Sequence, residues 1–160
     1  VMYYCPKSKR NIVRAILDIR INDTALSLVD KIKNLGVTFD SDLRFRSHLN
    51  SLIKRAYSAL RPLYNNFNIM NFKMRKKMVE ALVFPILTYC SVVFFACLDK
   101  NSQLRLQRIQ NCCCRFVYRL KKYDHVSSKL RELNWLSMQK HYKFSLSVLV
   151  HKILITSSPL

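Results

Sequence analysis

An α+β chain built mainly of helix is the fold class this sequence predicts, and three observations predict it. Gly36 is the single glycine and there are four prolines in 160 residues, so the tight turns of an all-β fold are scarce. Half of the residues are apolar, enough for a real core in one domain or in a domain with a small appendage. The apolar period changes once, from two before Asp40 to three and four after it. The expected organisation is short antiparallel strands over residues 1–40 and a bundle of about five helices over 41–160.

Val1 to Cys5 reads as a strand entered midway, so the chain is expected to be a fragment, and Lys7-Ser8-Lys9-Arg10-Asn11 after Pro6 reads as a polar loop. Ile16, Leu17, Ile19 and Ile21 alternate around Asp18 and Arg20. Asn22-Asp23 supplies a turn and Ile32 to Phe39 a second run, the pattern of a short hairpin. Leu49, Leu52, Ile53, Ala56, Leu60, Leu63 and Phe67 then form the stripe of an amphipathic helix with Ser47 as its N-cap. A second helix is expected from Phe72 to Leu98, a third from Ser102 to Leu120, a short fourth after an Asp124 cap and a fifth from Ser137 to Ile155.

Ala81 to Leu98 is uncharged and long enough to span a bilayer, with Lys73, Arg75, Lys76 and Lys77 ahead of it. That is the arrangement of a small basic membrane protein. Pro85, Thr88, Tyr89, Cys90 and Ser91 make the run only moderately apolar, so a buried central helix is preferred and no membrane partner is expected.

Lys and Arg number 28 against 9 Asp and Glu, a net charge of +19. Self-repulsion at that level opposes compaction, so the chain is expected to meet a polyanion whose displaced counterions supply affinity. Catalysis on a neutral small molecule does not call for it. At 100° per residue, Arg105, Arg108, Arg115, Arg119 and Lys122 share one face of the third helix, beside an apolar arc of Leu106, Ile109, Cys113, Phe116 and Leu120. Lys73, Arg75, Lys76 and Lys77 open the second helix, where they oppose the helix dipole; they read either as a solvated first turn or as a site where phosphate compensates them. Tyr64, Phe67 and Phe72 nearby are either base-stacking rings or core.

Six cysteines, three of them consecutive at Cys112-Cys113-Cys114, fit a reduced compartment and thiols that pack as small hydrophobes. Neighbouring helical residues diverge by about 100°, so the triplet does not converge on a metal. Asp40-Ser41-Asp42 is the only close carboxylate pair, and it reads as a turn and cap before a magnesium site. No Ser, His and Asp set sits in a catalytic motif.

Lys33-Asn34-Leu35-Gly36-Val37-Thr38-Phe39-Asp40, Pro85-Ile86-Leu87-Thr88-Tyr89-Cys90-Ser91, Leu106-Gln107-Arg108-Ile109-Gln110-Asn111 and Leu133-Asn134-Trp135-Leu136-Ser137 follow one another in that order. Together they resemble the carboxyl-terminal part of the reverse transcriptases of non-LTR (LINE-type) retrotransposons, the jockey-like elements in particular. The resemblance implies that residues 1–40 are the last strands of the polymerase palm, with Leu35, Gly36 and Val37 in a hairpin that grips the primer end. Gly36 suits such an approach because it has no Cβ. The helices after Ser47 would be the thumb and the region following it.

The resemblance implies a nucleic-acid-holding part of an RNA-directed DNA polymerase, whose expected contacts are Lys73, Arg75, Lys76, Lys77, Arg105, Arg108, Arg115 and Arg119. Its partners would be the RNA template, RNA–DNA or DNA duplex and the rest of the polymerase, inside the cell in nucleus or cytoplasm. The family's magnesium-binding aspartates and its endonuclease lie upstream of the matching segment, so the fragment is expected to carry no cofactor and to polymerise nothing alone. Two departures stand out: the cysteine triplet does not match the family's cysteine–histidine knuckle, and Ser137 replaces the usual proline. The alternatives are the membrane protein spanning at 81–98 and a decayed reading frame without function.

Overall fold

The structure, a computed structural model, describes residues 2, 4, 7–9, 11–12, 19–22 and 24–156. It is α+β and mainly helical: a 3₁₀ turn at Lys7–Lys9 and two antiparallel strand pairs precede the main helices. The chain divides into two compact units, residues 1–50 and 51–160.

In the first unit, β1 (Arg20–Ile21) pairs with β2 (Thr24–Ala25), and β3 (Lys31–Asn34) with β4 (Val37–Asp40). The run from Ile32 to Phe39 is therefore not a single strand but a hairpin in its own right, while Arg20 and Ile21 pair with Ala25 and Thr24. Asn34 opposes Val37, which leaves Leu35 and Gly36 as the whole turn, at φ 45° and 82°. Two successive positive φ values match a two-residue turn to the twist of its strands, and the only glycine stands at one of them. The strand expected at 1–5 and the alternation at 16–18 lie outside the described residues, except Met2 and Tyr4, which belong to no strand.

The helix α1 (Arg46–Asn65) starts from this hairpin. Its cap is Asp40 rather than Ser47: the carboxylate accepts the amides of Phe45 at 2.8 Å and Arg46 at 3.1 Å. Phe39 meets Phe45 edge-on at 5.4 Å, and the Thr38 amide donates to His48 Nδ1 at 3.4 Å. These ties hold the first turn of α1 to β4, so the unit runs to residue 50 and not to 40.

In the second unit, α2 (Phe72–Leu82), α3 (Phe84–Thr88), α4 (Ser91–Phe94) and a 3₁₀ turn at Phe95–Cys97 replace the single helix expected from Phe72 to Leu98. Pro85 has no amide to continue the ladder and begins a new helix. Tyr89 at ψ 123° and Cys90 at φ 52° end it. Val83, Leu87, Phe94, Phe95 and Leu98 are buried. Among the described residues no single helix is long and apolar enough to cross a membrane; Phe72–Thr88 with Ser91–Cys97 passes only as a pair bent by 40°.

α5 (Lys100–Tyr118) packs against α2, α6 (Ser127–Glu132) and α7 (Met138–Thr156). It starts earlier than Ser102 because Asp99 caps it, accepting the Ser102 amide at 2.9 Å. Leu106, Ile109, Cys113 and Phe116 are buried as their spacing predicts, each large side chain stabilising by roughly 1.5–3 kcal/mol. Asp124 does not cap α6; it accepts the Lys121 amide at 2.7 Å and closes the turn before it.

The Leu133-Asn134-Trp135-Leu136-Ser137 segment has a local physical account. Asn134 adopts φ 58°, and the Trp135 amide donates back to the Leu130 carbonyl at 2.9 Å, a helix stop that needs no proline. Leu133 and Trp135 are buried by that reversal. Ser137 Oγ then accepts the Lys140 amide at 3.4 Å and opens α7. Beyond Ser145, Val148, Val150, Ile153, Leu154 and Ile155 of α7 are exposed.

Candidate nucleic-acid interface

The basic face of α5 is positioned by its apolar face, since burial of Leu106, Ile109 and Cys113 turns Arg108 outward. Arg105 is half-buried. The helix ends at Tyr118, so Arg119 and Lys122 do not continue the helical stripe. Arg119 adopts φ 59° and the Leu120 amide donates to the Arg115 carbonyl at 3.0 Å, reversing the chain. That reversal sets the Arg119 guanidinium 4.8 Å from the centre of the Phe67 ring. Lys122 is exposed, over the ring of Tyr123.

Aromatic side chains from the second half of α1 and the turn after it lie along this face. Tyr57, 45 % exposed, is held above the usual phenol range by burial and by Cys112 beside it, with Arg108 close enough to pull the other way. Tyr64, 47 % exposed, is raised by burial and by Cys112 and Cys113, against Arg115. Its ring meets Phe116 edge-on at 5.0 Å, and Phe67 tilts onto the same ring at 5.5 Å. The result is a ribbon in which Tyr57, Tyr64 and Phe67 alternate with Arg108, Arg115 and Arg119. Aromatic surface beside guanidinium groups offers packing area for sugars together with charge for phosphates, the contacts by which a duplex backbone is held.

The cluster that opens α2 separates into different roles. Arg75 is 5 % exposed: its Nε donates to the Val117 carbonyl at 3.0 Å, one terminal nitrogen donates to the Met70 carbonyl at 2.7 Å, and its guanidinium carbon lies 5.2 Å from the centre of the Phe67 ring. Burial, and Arg119 nearby, hold its pKa below the ordinary guanidinium value. Arg75 therefore leaves the expected contact set, because its donors tie α2 to the end of α5. Lys76 lies 3.8 Å from Glu80, whose other contact is the Trp135 indole at 2.8 Å. Lys73 and Lys77 are exposed. The helix N-terminus expected to receive phosphate is capped by Asn71, which accepts the Met74 amide at 2.9 Å. Phe72 packs on Tyr118 at 5.2 Å.

Arg115 is half-buried and donates to the Asp124 carbonyl at 3.1 Å, so it braces the turn as well as lining the ribbon. Leu35 and Gly36 are exposed at the tip of their hairpin, Leu35 at 83 %, whereas Val37 is buried and inaccessible to a ligand.

No metal centre is formed among the described residues, where no three His, Cys, Asp or Glu side chains converge. Magnesium does not fit Asp40-Ser41-Asp42: both oxygens of Asp40 accept amides, and Asp42 lies 3.8 Å from Arg44. Cys113 and Cys114 are buried and their thiols are pushed up by burial, Cys114 to about 11. Cys97 differs from the packed thiols expected, being exposed.

Sequence reasoning missed Tyr57, although its spacing of one heptad from Tyr64 was the available signal. Compared with protein-family models, curated proteins and solved structures, the chain has no match.

Proposed function

We propose that the chain holds nucleic acid duplex as the thumb-like carboxyl-terminal part of a non-LTR retrotransposon RNA-directed DNA polymerase. The observation that carries this reading is the ribbon of Tyr57, Tyr64 and Phe67 beside Arg108, Arg115 and Arg119. A net charge of +19 supports it, as do the four ordered sequence motifs. The ligand class is RNA template paired with growing DNA, held through the backbone without base-edge readout, alongside the remainder of the polymerase. No step of polymerisation is assigned to this chain. Its share is to keep the duplex in place, in the nucleus or cytoplasm.

The test is fluorescence anisotropy with a labelled RNA–DNA hybrid at several salt concentrations. Affinity should fall linearly on a log–log plot, and Arg108→Gln with Arg119→Gln should reduce the slope by roughly 0.7–0.9 for each phosphate that the variant no longer neutralises. An unchanged slope in the double variant overturns the assignment of this face.

A further inference from the structure

A second feature lies away from the ribbon, in the second unit, where α5, α6 and the start of α7 enclose a groove of about 870 Å³. That volume falls within the roughly 300–1,000 Å³ of ordinary ligand sites. Its charge is one-sided. Lys100, Arg131 and Lys140 line it from three different elements, all three are exposed, and no Asp or Glu lines it.

The polar wall comes from one face of α5, where Gln103, Gln107 and Asn111 recur at four-residue spacing. Gln107 is fully engaged: its amide nitrogen donates to Gln110 and Asn111 at 2.9 Å, and its oxygen accepts the Met138 amide at 3.0 Å. It therefore serves as a fixed strut. Gln103 donates to the carbonyls of Phe95 and Leu98, and Asn111 accepts from Gln107, so both side chains are held in position. What remains open on them is the Gln103 oxygen, an acceptor, and the Asn111 nitrogen, a donor. Leu104, Trp135 and Leu136 supply apolar surface to the same groove.

Positioned amides, apolar surface and cations without acids match an unpaired base and its phosphates. A paired duplex cannot present base edges and faces to such a groove, whereas a single strand can. We propose that this groove binds a short single-stranded stretch of nucleic acid, separately from the duplex held on the ribbon. The inference rests on the nucleic-acid reading above and deepens it: an unpaired segment is led across α5 while the adjoining duplex lies along the Tyr57–Arg108 face.

Trp135 is the only tryptophan in the chain and, though largely buried, borders the groove, so its emission responds to a ligand seated there. The experiment titrates the full chain with an unlabelled hexanucleotide RNA, with adenosine monophosphate and with a blunt RNA–DNA hybrid, following Trp135 emission. Anisotropy of a labelled hybrid is measured in parallel. The expected result is a saturable change in emission with the hexanucleotide, weaker by at least tenfold in a Lys100→Gln, Arg131→Gln, Lys140→Gln variant. Hybrid affinity in that variant should stay within about twofold, because the ribbon is untouched.

Saturation by the monophosphate with the same affinity as the hexanucleotide overturns the strand assignment and leaves a mononucleotide site. Hybrid binding with no emission response to the hexanucleotide, or an equal response in the variant, overturns the groove while the ribbon stands. Absence of binding to every nucleic acid overturns both readings.

Discussion

Arg75 and Lys77 are neighbours in one basic cluster, yet they differ in what holds them. Arg75 spends two donors on buried carbonyls and its face on Phe67, so Arg75→Gln should destabilise the chain by about 2–4 kcal/mol, the order of two charge-assisted hydrogen bonds. Lysine there lacks the planar fork and should fare little better. Lys77→Gln, at an exposed position, should change stability by less than about 0.5 kcal/mol while weakening nucleic-acid binding. Chemical denaturation paired with anisotropy separates the two. Asp40→Ala should cost about 1–2 kcal/mol through removal of the α1 cap, read in the same denaturation curve. That Arg75 faces inward was not legible in the sequence. Four cations in five residues fan around the helix, and which one is buried depends on where α5 ends.

At the scale of elements, the buried side of α5 was legible because a three-and-four period has one physical reading in a chain with a core. The break after α2 was not, because the apolar run hides the backbone consequence of Pro85 and of Cys90 at φ 52°. The hairpin also escaped a period-two reading, since its turn is only Leu35-Gly36. Gly36→Ala should cost about 1 kcal/mol or more, measured by thermal unfolding, because the new Cβ opposes φ 82°.

α7 carries a pH dependence. Burial holds His141 below the usual imidazole value, with Ser145 Oγ 3.4 Å from its Nδ1 and Glu80 the acid lining the same small cavity. The folded state favours the neutral ring, so the unfolded chain takes up the proton first. This contribution is complete above the unfolded value of about 6.5 and is lost as pH falls from there through the lower folded value. The melting temperature should drop on acidification below about pH 6.5, and His141→Gln should remove that part of the drop.

The whole chain divides into two compact units, and the positions of Arg108 and Arg119 follow from the packing of the second. Its core makes a simple prediction for thiols: iodoacetamide at neutral pH should modify Cys97 in the native protein and reach Cys113 and Cys114 only after denaturation. Early modification of Cys113 would place α5 differently. The charge that suggested a polyanion was fully legible in composition, but the ribbon was only half so. Arg108 and Arg115 can be placed on a helix from their spacing, whereas Arg119 reaches the ribbon through the chain reversal after Tyr118 and the tyrosines arrive from another helix through a tertiary contact.

The most direct measurement is arginine footprinting with phenylglyoxal, read by mass spectrometry with and without saturating RNA–DNA hybrid. Arg108 and Arg119 should react in the free chain and be protected by the hybrid, while Arg75 stays unreactive in both. Equal modification of Arg108 and Arg119 with hybrid bound would contradict the assignment of this face to nucleic acid.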